Sequence, residues 1–80
     1  MLVPLYGFMR GDTVGLLVLA RRDDTIAAVA ANLQQAASVR VTPMEPAHVY
    51  YNGIRLNPEA TVGEVGLRAL ERIDVIQGEP

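Results

Sequence analysis

The sequence predicts an α+β fold, a roll in which a single helix covers one face of a mixed β-sheet. One observation behind this prediction is a long segment with helical periodicity, at residues 25–39. The other is that segments of strand length and composition stand in pairs before and after this helix, with a last one near the C-terminus. The predicted order is ββ-α-ββ-short helix-β. In that order the elements span residues 2–9, 13–20, 25–39, 47–52, 54–56, 61–66 and 71–77.

The first two strands form a predicted hairpin around Arg10-Gly11-Asp12. This tripeptide is also an integrin-binding sequence, but glycine and aspartate are common in turns, and we interpret it as a turn. Pro4 is expected near the start of its strand or on an unpaired edge, because it has no N–H to donate. Apolar residues occupy both alternating sets of positions, so the pattern does not decide which face is buried. Either the hairpin is covered on both faces or it exposes a sizeable apolar patch for a partner.

The helix at residues 25–39 has an unusual outer side. Thr25 is the predicted N-cap, and Asp23 and Asp24 place negative charge near the positive end of the helix dipole. The inward face has helical spacing and comprises Ile26, Val29, Ala30, Leu33 and Ala37. The outward positions carry no charge and comprise Ala27, Ala28, Ala31, Asn32, Gln34 and Gln35. Either this side contacts a partner, or it is an alanine-rich helix from a GC-rich bacterial genome, a source that the absence of lysine also favours.

Within residues 25–39 the helix is predicted to end around Ala37-Ser38. An irregular loop with two prolines follows at residues 39–46. It carries the chain across the core to the third strand. Val39 and Val41 are expected to fill the bottom of the core, with Arg40 outside.

The last third of the chain has clear local signals. Asn52-Gly53 predicts a tight turn between two strands. Thr61 is the predicted N-cap of the short helix, with Glu64 at the capping-box position and Gly66 in a left-handed conformation at its end. The residues expected to face the core beyond it are Leu67, Leu70, Ile73 and Val75.

Length and composition predict a single domain at residues 1–80. Half of the 80 residues are hydrophobic and none is cysteine, so the core alone must stabilise the fold. The net charge of −2 is scattered along the chain and provides no basic surface for nucleic acid. No apolar run reaches the roughly 20 residues of a membrane-spanning helix, and no signal peptide is apparent. We predict a cytoplasmic protein that binds neither nucleic acid nor membrane.

Residues that could support catalysis are scarce. His48 is the one histidine, and the sequence has no cysteine and no Gly-rich phosphate-binding loop. The acidic residues are not spaced as metal ligands of a helix, and Glu64 is expected to serve as a cap. We therefore predict that the chain is not an enzyme and has no cofactor, metal or small-molecule substrate.

The order and spacing of the elements resemble the ubiquitin-like β-grasp fold over nearly the whole chain. Ubiquitin-like modifiers and sulfur carriers need a terminal Gly-Gly whose carboxylate is activated. This chain ends Gln77-Gly78-Glu79-Pro80, so neither role is expected, and the fold alone says little about function. The resemblance is carried by residues 23–26 (DDTI), 33–34 (LQ), 49–56 (VYYNGIRL) and 61–67 (TVGEVGL).

Among ubiquitin-like proteins that are not conjugated, the sequence is similar to the small subunits of bacterial multicomponent diiron monooxygenases, the toluene-4-monooxygenase system B type. This similarity is carried by residues 4–8 (PLYGF), 11–16 (GDTVGL) and 72–76 (RIDVI). In that family the small subunit binds the helical hydroxylase and holds no iron ligands. The resemblance implies a larger protein partner, a diiron hydroxylase subunit, for this chain. The alternative is a free-standing ubiquitin-like adaptor, such as an accessory protein of a bacterial secretion system.

Two surfaces are candidates for binding a protein partner. Ubiquitin-like domains meet partners through the sheet face away from the helix, which is expected to carry His48, Tyr50 and Ile76. Tyrosine beside isoleucine suits a binding hot spot, although Tyr50 and Ile76 could instead simply cover each other across neighbouring strands. The second candidate is the uncharged helix side, with Ala27, Ala28, Ala31, Asn32 and Gln35.

Overall fold

A computed structural model describes residues 2–78 of the chain. The elements in this range follow the predicted order. The second strand begins at Leu16 rather than at residue 13, because residues 13–15 belong to the hairpin connection. The predicted tail at residues 78–80 lies, beyond Gly78, outside the described residues. The elements are β1 (Leu2–Met9), β2 (Leu16–Arg21), α1 (Ile26–Ala37), β3 (Ala47–Tyr51), β4 (Ile54–Arg55), α2 (Val62–Val65) and β5 (Arg72–Gln77).

The strands form one mixed sheet in the order β2-β1-β5-β3-β4. β1 and β5 are parallel neighbours, and the other adjacent strands are antiparallel. α1 packs across one face of this sheet and encloses the core, which confirms the predicted α+β roll. We call the face covered by α1 the inner face and the opposite one the outer face.

The second strand of the hairpin has smaller buried side chains than exposed ones. Val18 and Ala20 are buried on the inner face, while Leu17 and Leu19 point outward. Gly7 lies directly against the helix, since a Cβ at this position would come within 2.7 Å of Leu33 Cδ2. Close approach of α1 therefore requires a residue without a side chain at this position. Of the two arrangements left open by the sequence, the structure has the hairpin exposing an apolar patch. We call this the hairpin patch, comprising Leu2, Tyr6, Leu17 and Leu19.

The N-terminus of α1 is capped as predicted. The hydroxyl of Thr25 accepts a hydrogen bond from the N–H of Ala28 at 3.1 Å, which satisfies one of the free donors of the first turn. The helix ends at Ala37 with Ser38 as the C-cap, which agrees with the predicted end around Ala37-Ser38.

Gln34 was predicted to face outward, and this prediction was wrong. Its side chain is buried, and Oε1 accepts a hydrogen bond from the N–H of Met44 at 3.0 Å. A buried amide needs such a partner, because an unsatisfied one would lose its hydration without compensation. Gln34 thus anchors the loop at residues 39–46 to the helix.

The loop after α1 and the segment before β5 correct three predicted core positions. Val39 is 85% exposed and Val41 is half-buried, so neither fills the bottom of the core. The reason is a tight turn in which the N–H groups of Arg40 and Val41 both donate to the carbonyl of Ala37, which directs Val39 to solvent. Leu70 is also exposed, with φ of 67°, and contributes its backbone N–H instead of its side chain. Leu67, Ile73 and Val75 are buried, as predicted.

The local signals of the last third are confirmed. Asn52 and Gly53 have φ of 52° and 78°, as a two-residue hairpin turn requires, although β3 ends one residue earlier than predicted. The Thr61 hydroxyl accepts from the Glu64 N–H at 3.1 Å, and the Glu64 carboxylate accepts from the Thr61 N–H at 2.8 Å. Gly66 ends α2 in the left-handed region, with φ of 83°.

Candidate interaction surface

Three sheet residues predicted for partner binding lie together on the outer face. His48 and Tyr50 flank Val49 in β3, and because Val49 is buried beneath α1, alternation places its two neighbours on the opposite face. Ile76 is the direct cross-strand partner of His48. Tyr50 is opposite Asp74, two residues further along the same pair of strands. The predicted cluster therefore exists, and its role in binding stays a prediction.

The surroundings of these residues are mixed in polarity. Arg55 in β4 is the cross-strand partner of Tyr50, and its Nη2 lies 3.1 Å from Nε2 of His48. His48, Tyr50 and Ile76 are each half-buried, so their neighbours cover part of each side chain. Contacts with neighbouring strands thus account for part of the burial of these side chains, and the rest of their surface is accessible to a partner.

The centre of the outer face carries an aromatic ring beneath a charged pair. The guanidinium of Arg72 lies 4.1 Å from the centroid of the Phe8 ring, a distance suited to a cation–π contact. Arg72 Nη2 also pairs with Asp74 Oδ1 at 2.9 Å. Because this pair is largely solvated, it contributes little to stability and serves mainly to orient the two charges. An open depression of about 400 Å³ is lined by Phe8, Met9, Arg10, Gly11, Asp12, Arg72, Asp74, Val75 and Ile76.

The hairpin patch occupies the outer face on the β2 side of this centre. Leu17 and Leu19 are 54% and 57% exposed, and they lie opposite Tyr6 and Pro4, respectively, in the register of β1 and β2. Single exposed apolar residues are common on soluble proteins, but contiguous ones on one face mark interaction surfaces. This patch extends the predicted surface across the sheet.

Sequence reasoning left open whether the hairpin exposes an apolar patch, because apolar residues occupy both alternating sets of positions there. In β2 the alternation places Leu17 and Leu19 outside and Val18 and Ala20 inside, the reverse of what hydrophobicity alone favours. Gly7 was the available signal, since a glycine within a strand often marks close backbone approach. Had Gly7 been assigned to the inner face, period-2 alternation would have placed Tyr6 outside.

The second predicted surface, on α1, is largely accessible. Ala28 is half-buried, and the structure places no charged side chain within the helix itself. Gln34 is buried and therefore does not belong to the outward side of α1. The exposed members of the predicted set are Ala27, Ala31, Asn32 and Gln35.

Two polar contacts hold the edges of the domain. The carboxylate of Asp12, at the rim of the depression, accepts hydrogen bonds from Nε and Nη2 of Arg40, each at 3.0 Å. These hydrogen bonds from Arg40 hold the pKa of the Asp12 carboxyl below its usual value. At the other end of the sheet the Tyr51 hydroxyl donates to the Glu71 carboxylate, which lowers the pKa of Glu71 and raises that of Tyr51.

Within residues 2–78, no group of three or more His, Cys, Asp or Glu side chains is placed to hold a metal ion. In the same part of the chain, neither helix is long and apolar enough to cross a membrane.

Comparison with protein families gives one match over most of the sequence. The model of the family described as toluene-4-monooxygenase system protein B (TmoB) matches residues 2–76. A search of curated protein sequences finds no match.

Comparison with solved structures identifies ubiquitin-like folds. A chain in the structure titled toluene 4-monooxygenase HD complex with the inhibitor 4-bromobenzoate has a TM-score of 0.89 and 24% identity, covering 98% of this chain and 100% of that chain. Ubiquitin from Caldiarchaeum subterraneum has a TM-score of 0.78 and 15% identity, covering 100% and 98%. A ubiquitin-like domain from Arabidopsis thaliana has a TM-score of 0.72 and 19% identity, covering 99% and 80%. At these identities the likeness establishes the fold, a ubiquitin-like β-grasp.

Proposed function

The chain belongs to the toluene-4-monooxygenase system protein B (TmoB) family, and on this premise we propose that it is a non-catalytic accessory subunit of a bacterial multicomponent monooxygenase. It docks as a scaffold on a larger hydroxylase chain. In this proposal the chain supplies no catalytic residue and no iron ligand, and it acts in the cytoplasm. The substrate is handled by the hydroxylase.

The observation that carries this proposal is the family match over residues 2–76. The solved chain from the toluene 4-monooxygenase complex, which shares the fold along its full length, supports it. The ubiquitin-like fold is used for binding in many settings, so the fold by itself would not favour an oxygenase partner over another.

The outer face is the surface that the proposal assigns to docking. It offers a continuous apolar area at the hairpin patch and a second group at Tyr50 and Ile76, with the Arg72–Asp74 pair between them. Apolar and aromatic side chains at the centre of an interface carry most of its binding energy, whereas exposed charges mainly set orientation. An outer face of this composition suits a partner that covers it permanently.

Reconstitution tests the proposed function. The chain should co-purify with the hydroxylase of its source organism in fixed stoichiometry, and hydroxylation should fall when it is withheld and return when it is added back. Full hydroxylase activity without the chain would refute the proposal.

Surface variants then locate the docking surface. Tyr50→Asp combined with Ile76→Asp should abolish binding while leaving the melting temperature nearly unchanged, because both side chains lie outside the core. Val39→Asp is the matched control, since Val39 is exposed and lies in the turn after α1, outside the sheet. Ala31→Arg tests the helix side in the same way. Loss of binding in Ala31→Arg alone would move the docking surface from the sheet to α1.

A further inference from the structure

β2 is an edge strand, so some of its backbone N–H and C=O groups are not paired with another strand. The hydrogen bonds made by the neighbouring strand β1 identify these groups. The N–H of Tyr6 donates to the carbonyl of Glu71 at 3.0 Å, so the even-numbered residues of β1 direct their backbone groups toward β5. The odd-numbered residues therefore direct theirs toward β2. Leu5 is opposite Val18, which turns the backbone groups of Val18 toward β1 and those of Leu17 and Leu19 toward the free edge.

Arg21 is the next residue of β2 whose backbone groups point toward the free edge, and these groups already have hydrogen-bond partners within the chain. The N–H of Arg21 donates to the Asp24 carboxylate at 2.9 Å, and the Arg21 carbonyl accepts from the Asp24 N–H at 3.0 Å. The available groups on this edge of β2 are thus the N–H and C=O of Leu17 and Leu19. These two residues also present the exposed leucine side chains of the hairpin patch.

This edge lacks the features that usually prevent pairing with another strand. Proteins protect edge strands with lysine, proline, inward charges or bulges. In β2 the segment LLVLA has none of these residues, and its register with β1 runs without interruption from Leu16 to Arg21. The charged residue in β2, Arg21, lies at the end where Asp24 closes the edge.

We propose that the protein partner adds an extended segment to β2 as a sixth strand of the sheet. Its backbone pairs with the N–H and C=O of Leu17 and Leu19. Its side chains at alternate positions on the outer face are apolar, because they lie next to those two leucines. The inference rests on the proposed function, in which the partner is the hydroxylase chain. It specifies that the hydroxylase binds through backbone pairing with β2.

A second copy of this chain is a poorer occupant of the same edge. Two β2 strands joined edge to edge would satisfy the backbone groups, but strands that pair in one sheet do not cover its faces. The hairpin patches of both copies would remain in solvent as one larger apolar area, which soluble proteins avoid. A larger partner can extend the sheet and cover the outer face together.

Amide hydrogen exchange followed by NMR, on the free chain and on the purified complex with the hydroxylase, tests the inference. The amide protons of Leu17 and Leu19 should exchange rapidly in the free chain and at least about tenfold more slowly in the complex. The amide of Val18, which faces β1, is the internal control and should be protected in both.

Proline substitution separates the backbone contact from the side-chain contact. Leu19→Pro removes an N–H that β1 does not use, so the fold should persist, as checked by circular dichroism. It should bind the hydroxylase about tenfold more weakly than Leu19→Ala, which lacks the side chain but keeps the N–H. If Leu19→Pro does not fold, an ester in place of the amide at residue 19 removes the same N–H with the side chain intact.

The outcomes distinguish the two proposals. Slowed exchange in the complex, with weaker binding of Leu19→Pro than of Leu19→Ala, supports the added strand. A complex that forms with the Leu17 and Leu19 amides still exchanging rapidly overturns the added strand and leaves the proposed function intact. Protection of these amides in a self-associated free chain also overturns it, since a second copy would then hold the edge. Failure to form any complex overturns both.

Discussion

Gly7→Ala is the perturbation that best tests how the hairpin sits beneath the helix. A Cβ at Gly7 would lie 2.7 Å from Cδ2 and 2.8 Å from Cδ1 of Leu33, whereas carbon atoms in contact are about 3.5–4.0 Å apart. Because Leu33 is fully buried, it cannot swing into solvent to relieve the clash. Overpacking of this kind costs about 1–3 kcal/mol, and the less flexible unfolded chain offsets up to about 1 kcal/mol. We expect a net loss of about 1–2 kcal/mol in the free energy of unfolding.

A double-mutant cycle makes the test specific to the contact. Leu33→Ala alone should cost about 2–5 kcal/mol, out of a total of about 4–12 kcal/mol for a domain of this size. In the double variant the new methyl group at residue 7 occupies part of the space that Leu33 leaves. The combined loss should therefore be smaller than the sum of the two single losses by at least about 1 kcal/mol.

Urea unfolding followed by circular dichroism gives the three free energies. Val62→Ala is the matched control, because Val62 is fully buried in α2, beside the start of α1. Its effect should add to that of Gly7→Ala within about 0.5 kcal/mol. If Gly7→Ala were stabilising, or if its cycle with Leu33→Ala were additive, Gly7 would not lie against the helix and the assignment of inner and outer faces would be refuted.

Three further predictions concern polar contacts and one turn. Arg40→Ala should lower stability at neutral pH, because Arg40 holds the pKa of Asp12 below its usual value. A lowered carboxyl pKa contributes stability above the unfolded-state pKa and loses it as pH falls through the folded-state pKa. The difference in urea midpoint should therefore shrink as pH falls below the usual aspartate pKa of about 3.9. A difference that is unchanged at low pH would contradict the pairing. Tyr51→Phe should raise the pKa of Glu71 toward its usual value, since the lost hydroxyl donates to that carboxylate; NMR titration of Glu71 measures the shift, and an unshifted curve would count against the contact. Gly66→Ala should cost about 1 kcal/mol, because alanine is strained at the φ of 83° found there, and the melting temperature should fall by about 4–8 °C. An unchanged melting temperature would mean that α2 does not end in this way.

The parts of the fold that sequence predicted are those with a local cause. Thr25 and Thr61 cap the two helices through hydrogen bonds to residues three positions away, and Asn52-Gly53 closes its turn within the turn itself. Such features depend on residues adjacent in the chain, so they are readable without knowing the rest of the structure.

The candidate site was predictable in part for the same reason. β5 alternates cleanly, so placing Ile76 on the face opposite Val75 required no tertiary information. The hairpin could not be assigned in this way, because both of its faces are apolar. A one-residue change in the assumed alternation would exchange its inner and outer residues. Leu17 and Leu19 were therefore not identified as surface residues.

The order of the elements, the caps and turns between them, and the alternation of the last strand could be predicted without a structure, since each depends on short-range hydrogen bonding and periodicity. Three further features depend on how distant segments pack together. Gln34 became buried because a loop ten residues away supplied the partner for its amide. Gly7 faced the helix because only a residue without a side chain allows Leu33 to approach so closely. The strand order puts β2 at an open edge of the sheet, where both the side chains and the backbone groups of Leu17 and Leu19 are available to a partner. These features depend on contacts between segments distant in the chain, and local patterns carry no information about which segments will meet.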